Sequence, residues 1–453
     1  MHFELTRDFL DKLKESIASQ DDKIVRELIK ELHPADIAEV FDELTIDEAH
    51  YVYSKLGKED AADVLVELEE DVREQFLEHL SSKEIASVFI DNMDSDDAAD
   101  VIGELPEEKQ EEVLSHVSDV EQAGDIVDLL SYDEDTAGGL MATELISVNE
   151  NWTVSKCMEE IRKQAEDVDD IFFVYVVDDS DMLKGTLPLK KLLIASSDTL
   201  IKDICDTDII MVKTDTKSEE VANIMDKYDL VALPVVDSIG RLKGRITIDD
   251  VVDVIKEEAE KDYQMISGIS SDVEASDNVF QLTRARVPWL LIGLFGGTLS
   301  ARVLGNFGDE ISLYPAMAFF IPMITATGGN VGIQSSSIIV QGLANKTLGL
   351  ETTMKKLLKE LSVAIVTGLF LGLLAFIYNF LTSDSYALTF SVSTALFSVI
   401  IFSSLFGTFV PLALNKIKID PALATGPFIT TTNDVTGLFI YFWIGQIFFS
   451  YFS

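Results

Sequence analysis

Cysteine is almost missing from this 453-residue chain: Cys157 and Cys205 are the two present. That excludes a disulfide-stapled scaffold, and no CxxC or zinc-ligand spacing accompanies them. Histidine is also scarce, with five, and neither His nor Cys occurs beyond residue 282. Basic residues are outnumbered, 35 Lys plus Arg against 79 Asp plus Glu, for a formal net charge of −44. So acidic a chain is a poor partner for nucleic-acid phosphates, and no nucleic acid is expected among its partners. The start, MHFELTRDFLDKLKES, lacks the basic beginning and apolar run of a secretory signal.

Charge of either sign disappears from long stretches of the second half. Residues 311–345, 361–383 and 385–415 contain no Asp, Glu, Lys or Arg; 287–308 contain only Arg302, and 421–453 only Asp434. After residue 282 there are nine Lys/Arg and seven Asp/Glu, which leaves 26 and 72 before it. The acid therefore belongs wholly to the N-terminal part. A uniformly acidic chain of the halophile kind would not segregate so sharply. Two solvents for one protein would.

About 20 apolar residues cross a bilayer. The pattern predicts five membrane helices, near 287–306, 312–340, 360–381, 387–414 and 421–450. Arg284 and Arg286 precede the first; Lys346, Lys355, Lys356 and Lys359 separate the second from the third; Lys416 and Lys418 separate the fourth from the fifth. The alternate linkers, at Asp309–Glu310 and Asp384, carry no base. The positive-inside rule then places the N-terminal half in the cytoplasm and the C-terminus outside. Arg302 is expected to snorkel to the outer interface.

One carboxylate interrupts the last span. Asp434, in TTTNDVTG, lies thirteen residues past Pro421, near the expected middle of that helix. At membrane depth a charge costs about 2.5–3.5 kcal/mol or more unless it faces water or a partner. No Lys, Arg or His lies at comparable depth in the other spans. The reading is a cation site on an aqueous path, weighed against a protonated structural Asp. Thr430, Thr431, Thr432 and Asn433 would add oxygens beside it. In the second span, PMITATGGNVGIQSSS offers Asn330 and Gln334, with Gly328, Gly329 and Gly332 permitting either open backbone or close helix packing. Together with Pro315 and Pro322 this segment reads as a pore wall. All these donors are hard oxygens, which suits Mg²⁺ rather than a softer metal. One Asp per chain suits a hydrated Mg²⁺ if two chains meet at an axis. Entry of a divalent cation is favoured by about 4.6 kcal/mol per 100 mV, so uptake needs no coupling machinery.

Residues 1–132 read as an acidic helical domain with a degenerate repeat: ADIAEVFDEL (35–44), AADVLVEL (61–68), EIASVFIDNM (84–93) and AADVIGEL (98–105). Such repetition predicts a small superhelix whose neighbours bury one another's apolar stripes. Residues 133–200 and 201–256 repeat differently. VYVVDDSDMLKGTLPL (174–189) matches LPVVDSIGRLKGRITI (233–248) at an offset of 59. Each half has a β-rich run, a turn and a Gly leading into another strand. The pair resembles tandem CBS repeats, modules that often bind adenine nucleotides. The second repeat keeps a G-x-[IV]-T-x-x-D ending as Gly244, Ile246, Thr247 and Asp250, whereas Pro188 and Lys191 replace the Thr and Asp in the first. Thr247 and Asp250 are therefore the candidate nucleotide contacts, with ATP as the expected ligand. Residues 250–282 connect this module to the membrane part, 283–453. There Asp250, Asp253, Glu257 and Glu260 share one helical face, opposite Val251, Val252, Ile255 and Ala259. That acidic face is either a solvated surface or a divalent-cation sensor. Net −46 on one half repels itself, and bound divalent cations would relieve it.

In order along the chain, these features resemble the MgtE family of magnesium channels. The most specific segments are PMITATGGNVGIQSSSIIVQGLA (322–344) and DPALATGPFITTTNDVTGLFIYF (420–442), with EDTAGGLM (134–141) fitting too. The resemblance implies a multidomain fold: an α-superhelical N domain, an α/β tandem CBS domain, a connecting plug helix and five all-α membrane helices. It implies a homodimer with one pore at its interface, importing Mg²⁺ and closed by cytoplasmic Mg²⁺. Carried over by position, Asp434, Asn330, Gly328 and Gly329 would form the pore. Asp63, Asp96, Asp100, Glu219, Asp229, Asp250, Asp253, Glu258, Asp262 and Asp420 would form the sensor. Lys217 and Lys261 stand where the family pattern is acidic, which implies fewer or weaker sensor ions and leaves the pore unaffected. The competing reading is a secondary transporter exchanging Mg²⁺ with Na⁺ or H⁺. One intramembrane acid and no His make a thin proton relay. A membrane-anchored enzyme is disfavoured: the chain shows neither a nucleophile–base constellation nor a phosphate loop.

Overall fold

The structure is a computed structural model that describes residues 3–165, 168, 171–270, 273, 278–344, 352–424 and 426–452. Lys346, read above as an inner-side charge, lies outside the described residues. The chain divides into two compact units, Met1–Lys256 and Glu257–Ser453.

The first unit begins with short amphipathic helices, as the repeat predicts. Three of its four copies lie on helices Pro34–Asp42, Lys58–Val66 and Ser95–Gly103, each turning apolar residues inward: Ile37, Ala38, Val40 and Phe41 in the first, for example. The copy at 84–93 departs from this. Its helix stops at Glu84 and continues as a π turn, Ile85–Phe89, then a 3-10 turn, Ile90–Asn92. Ile85, Ala86, Phe89 and Ile90 are all fully buried in the core.

Two three-stranded sheets follow. In one, β1 (Ser147–Asn149) pairs in parallel with β2 (Val174–Val177), which pairs antiparallel with β3 (Leu183–Leu187). In the other, β4 (Val212–Lys213), β5 (Ala232–Val236) and β6 (Leu242–Thr247) repeat that order and sense. The offset of 59 survives in detail: the ladder irregularity falls at Val176/Val177 in one and Val235/Val236 in the other. Each repeat's glycine meets crossing backbone. A Cβ on Gly185 would lie 2.5 Å from the Asp206 carbonyl, and one on Gly244 2.6 Å from the Ala142 carbonyl. Only glycine admits such an approach.

A helix, Ile248–Ser267, leaves the second sheet. It is shorter than the connector read over 250–282, because Gly268 takes a left-handed conformation (φ +80°) and ends it. Its apolar stripe also differs from the sequence reading. Val251 and Val254 are buried, whereas Val252 and Ile255 are exposed.

Among the described residues of the second unit, five helices are long and apolar enough to span a membrane: Val279–Asn306, Pro315–Ala344, Thr353–Thr382, Tyr386–Lys416 and Pro427–Phe452. The second opens with a 3-10 segment, Pro315–Phe320, and is regular α-helix from Ile321. The fourth is the most enclosed and carries the unit's core, with Val392, Ala395, Val399 and Ile400 fully buried. Tyr441 Oη donates to the Met317 carbonyl at 2.9 Å, tying the fifth span to the start of the second.

Candidate functional site

Acidic residues converge in the first unit. Helix Ser95–Gly103 starts at Asp94, whose extended backbone makes it the N-cap, and Asp96 and Asp97 occupy the first turn. Negative charge there is favoured by the helix dipole. Ala98, Ala99, Val101 and Ile102 anchor the other face in the core. This leaves Asp96 and Asp97 half-buried and close to Asp250 at the head of the connecting helix. Burial, then neighbouring carboxylates, pushes the Asp96 carboxyl well above its usual range. Asp97 is pushed up to about 7, chiefly by burial and next by Asp250. Asp100 is also pushed up to about 7 by desolvation, although Arg73 pulls it down. Its side chain stays exposed, so Asp97 carries the greater energetic weight. Ionising Asp97 in place costs about 4 kcal/mol more than in water. Arg73 is held in turn by Glu104, with Nε donating to Oε2 at 2.9 Å.

Asp250 is raised by burial, against the hydrogen bonds it accepts from Thr247. Those come from the Thr247 N–H at 3.1 Å and Oγ1 at 2.8 Å. Thr247 and Asp250, the candidate nucleotide contacts, are thus bonded to each other. Beside this group, one carboxylate oxygen each from Asp94, Asp96 and Glu144 lie within 4.8 Å of one another, close enough to hold one cation. Buried Ser95 donates to Glu144 at 2.8 Å.

The remaining sensor candidates are dispersed. Asp63 is exposed on helix Lys58–Val66. Glu219 and Asp229 lie at opposite ends of helix Ser218–Tyr228, so about 15 Å of helix separates them and one chain cannot put both on one ion. Asp253 pairs with Lys256 at 2.8 Å and Glu258 with Lys261 at 3.2 Å. Asp262 is half-buried farther along that helix. Asp420 is exposed and accepts from the Ala422 N–H at 2.8 Å. Lys217 faces Asp133 at 3.5 Å.

In the second unit the last span starts at Pro427, not near 421. Pro421–Ala424 is a separate 3-10 turn, and Gly426 is left-handed (φ +56°). Asp434 therefore sits seven residues from the helix start, roughly 10 Å in, rather than at mid-helix. It is half-buried in the single chain, and Asn330 is exposed. Asn433 does not join Asp434 as an open oxygen donor. It is fully buried, and its Nδ2 donates to the Gly328 carbonyl at 3.3 Å. Thr430 and Thr432 donate back to the Gly426 and Phe428 carbonyls, each at 3.0 Å, which leaves their oxygen lone pairs free to accept. Thr431 packs on the first span, where a Cβ on Gly296 would fall 1.8 Å from its Cγ2.

Gly328, Gly329 and Gly332 keep regular helical backbone and are buried. Close packing, not open backbone, is their role here. Gly328 packs on Val399 and Ser403 of the fourth span, Gly329 faces Thr430, and a Cβ on Gly332 would fall 2.0 Å from Asn433 Nδ2. The Asn433–Gly328 bond sets Asn330 and Asp434 at similar depth on neighbouring helices.

A family model described as a divalent cation transporter matches residues 321–444. Others match 32–135, as the MgtE intracellular N domain, and 137–198 and 201–257, as CBS domains. The magnesium transporter MgtE of Thermus thermophilus is 33% identical over 96% of this chain and 97% of its own length. That of Bacillus subtilis is 31% identical over 95% and 96%.

The chain belongs to the MgtE family.

The relatives that match nearly its whole length are transporters rather than enzymes, so Mg²⁺ transport across a membrane, with an intracellular N domain, is the family's activity. Two solved structures resemble its N-terminal part. The soluble part of a magnesium transporter has TM-score 0.50 and 33% identity, covering 56% of this chain and 98% of that one. The cytosolic domain of the Mg²⁺ channel MgtE in complex with ATP has TM-score 0.50 and 35% identity, covering 54% and 99%.

Sequence reasoning named Asp96, Asp100, Asp250 and Asp434 but missed Asp97, Asp94 and Glu144. Asp97 was legible, since it lies three residues before Asp100 on the same helical face. Asp94 and Glu144 are fifty residues apart, and no local spacing links them.

Proposed function

We propose that this MgtE-family protein is a Mg²⁺-selective channel, closed by cytoplasmic Mg²⁺ and working as a homodimer with one pore at its interface. The observation that carries this is the crowding of Asp96, Asp97, Asp100 and Asp250 from two separate elements. Like charges packed this closely repel when no cation is bound. At low cytoplasmic Mg²⁺ the connecting helix is pushed from helix Ser95–Gly103 and the pore opens. At high Mg²⁺ the ion bridges the carboxylates, and the closed arrangement is favoured. Each ion need add only a modest difference in affinity between the two states, because sites sum.

Asp434 is the pore carboxylate, one from each chain, with Asn330 beside it and Gly328–Gly329 shaping the wall. A hydrated Mg²⁺ would pass between the two Asp434 side chains, keeping several of its waters. Asp63, Glu219, Asp229, Asp253, Glu258, Asp262 and Asp420 serve as further sensor ligands. Glu219 and Asp229 act on different ions or with the partner chain. The N-terminal unit lies in the cytoplasm and the C-terminus outside, as the basic linkers favour. A related cytosolic domain holds ATP, and the CBS pair at 133–256 is the corresponding module here. Nucleotide bound near Thr247 would act on the same helix head as Mg²⁺.

The test is current from purified protein in liposome patches while Mg²⁺ is stepped on the cytoplasmic face. Unitary openings that vanish as Mg²⁺ rises, and persist in Asp97→Asn, support the reading. Slow flux without unitary current, following an imposed Na⁺ or H⁺ gradient, replaces it with the exchanger.

A further inference from the structure

Glu360 looks in sequence like one more charge at the end of the Lys355–Lys359 linker. Its side chain behaves differently. Oε1 accepts from Ser335 Oγ of the second span at 2.6 Å and from Ser404 Oγ of the fourth. The two hydroxyls are 3.1 Å apart, and both serines are buried. One carboxylate oxygen on the third span therefore joins three helices.

Such a bond matters because spans in lipid lack a hydrophobic force pulling them together. The second and fourth spans meet through small residues. Gly328 lies on Val399 and Ser403, and Gly407 lies so close that a Cβ there would be 2.3 Å from the Gly332 carbonyl. Two hydroxyls donating to one carboxylate oxygen add a directional constraint on register to this packing, since charge-assisted bonds are about twice as strong as neutral ones. Ser335 lies five residues past Asn330, about 7.5 Å along the helix and roughly 140° around it. Asn330 is on the exposed side and Ser335 on the buried side. The carboxylate grips the helix from behind the face that carries Asn330.

We infer that Glu360 is a positioning residue for permeation: by holding Ser335 and Ser404 on one oxygen it fixes the register of the second span, and with it Asn330 against Asp434. This rests on the reading of Asn330 and Asp434 as pore residues. It also supplies the membrane unit with a second acid, at the residue where the sequence reading began the third span.

The experiment measures Mg²⁺ and Ca²⁺ influx into liposomes holding the full chain, at low Mg²⁺ on the cytoplasmic face. The variants are Glu360→Ala, Glu360→Gln, Ser335→Ala with Ser404→Ala, the combination with Glu360→Ala, and Asp434→Ala. Glu360→Ala should lose about tenfold in Mg²⁺ flux and blur the preference for Mg²⁺ over Ca²⁺. Glu360→Gln, whose amide oxygen still accepts, should recover most of both. Adding Glu360→Ala to the serine pair should change nothing further, whereas mere destabilisation would add. The Mg²⁺ concentration that closes the protein should not move. Wild-type flux and selectivity in Glu360→Ala overturn the inference. So does a Gln variant as inactive as Ala alongside wild-type flux that follows an H⁺ gradient, for the charge itself would then be the coupling acid. Asp434→Ala separates the two levels. If it abolishes flux while the 360 variants are normal, only the positioning role fails; if it conducts normally, the pore reading fails first.

Discussion

The two units handle carboxylates in opposite ways. The cytoplasmic unit crowds Asp94, Asp96, Asp97, Asp100, Glu144 and Asp250 into neighbouring groups. Within its spans the membrane unit spaces its acids out: Asp434 stands alone on its helix, and Glu360 is bonded to two serines. In water, repulsion among many acids is tolerable and gives a graded response to a cation. Within a bilayer one unpaired charge is already expensive, so a single residue has to do the whole task. The comparison teaches that loss of Asp434 should be far more damaging than loss of any one acid of the cytoplasmic cluster.

Substitution at Asp434 is the largest expected effect. Asp434→Ala should lower Mg²⁺ flux into liposomes by about a hundredfold or more, the scale of removing a charge-assisted interaction from a permeation step. The triple variant Asp96→Asn, Asp97→Asn, Asp100→Asn should keep conducting. Its closing concentration of Mg²⁺ should rise by about tenfold or more, read from open probability, and each single variant should shift it less. A loss of conduction in the triple variant would break the contrast.

Proton binding gives a gentler probe. Asp97 titrates near 7 in the folded unit, far above its ordinary value. Stability linked to its protonation is present at acid pH and lost as pH rises through about 7. In chelator, the melting temperature of the cytoplasmic unit should therefore fall by at least ~4 °C between pH 5 and pH 8. Mg²⁺ should remove most of that slope by replacing the proton. A flat profile in chelator would mean that these acids are not crowded. In the membrane unit, Gly407→Ala should cost about 1–3 kcal/mol, read as a lower melting temperature in detergent, because the added Cβ meets backbone at 2.3 Å. The smallest change expected is Asp253→Ala, whose exposed pair with Lys256 should contribute less than ~1 kcal/mol to melting.

Much of the fold was legible because its signals are local or periodic. Five charge-poor runs became five helices, and the 59-residue offset became two matching sheets with the irregularity at equivalent valines. What was not legible depended on the direction of side chains. Asn433 and Asp434 are adjacent, but a helix turns about 100° between them, so one is buried against Gly328 and the other is half-open. The end of the connecting helix at Ser267 and the start of the last span at Pro427 were set by Gly268, Gly426 and Pro427 rather than by hydropathy. Glu360 was hidden for a related reason. Its place at a span's edge suggested solvent, while its reach brought it to serines on two other helices.

The most direct test of the central claim is single-channel recording from reconstituted wild type and Asp97→Asn, with Mg²⁺ stepped on the cytoplasmic face only. The account predicts wild-type openings that disappear as Mg²⁺ rises, and openings of the same size that persist to higher Mg²⁺ in the variant. Closure at the same Mg²⁺ concentration in both would contradict it.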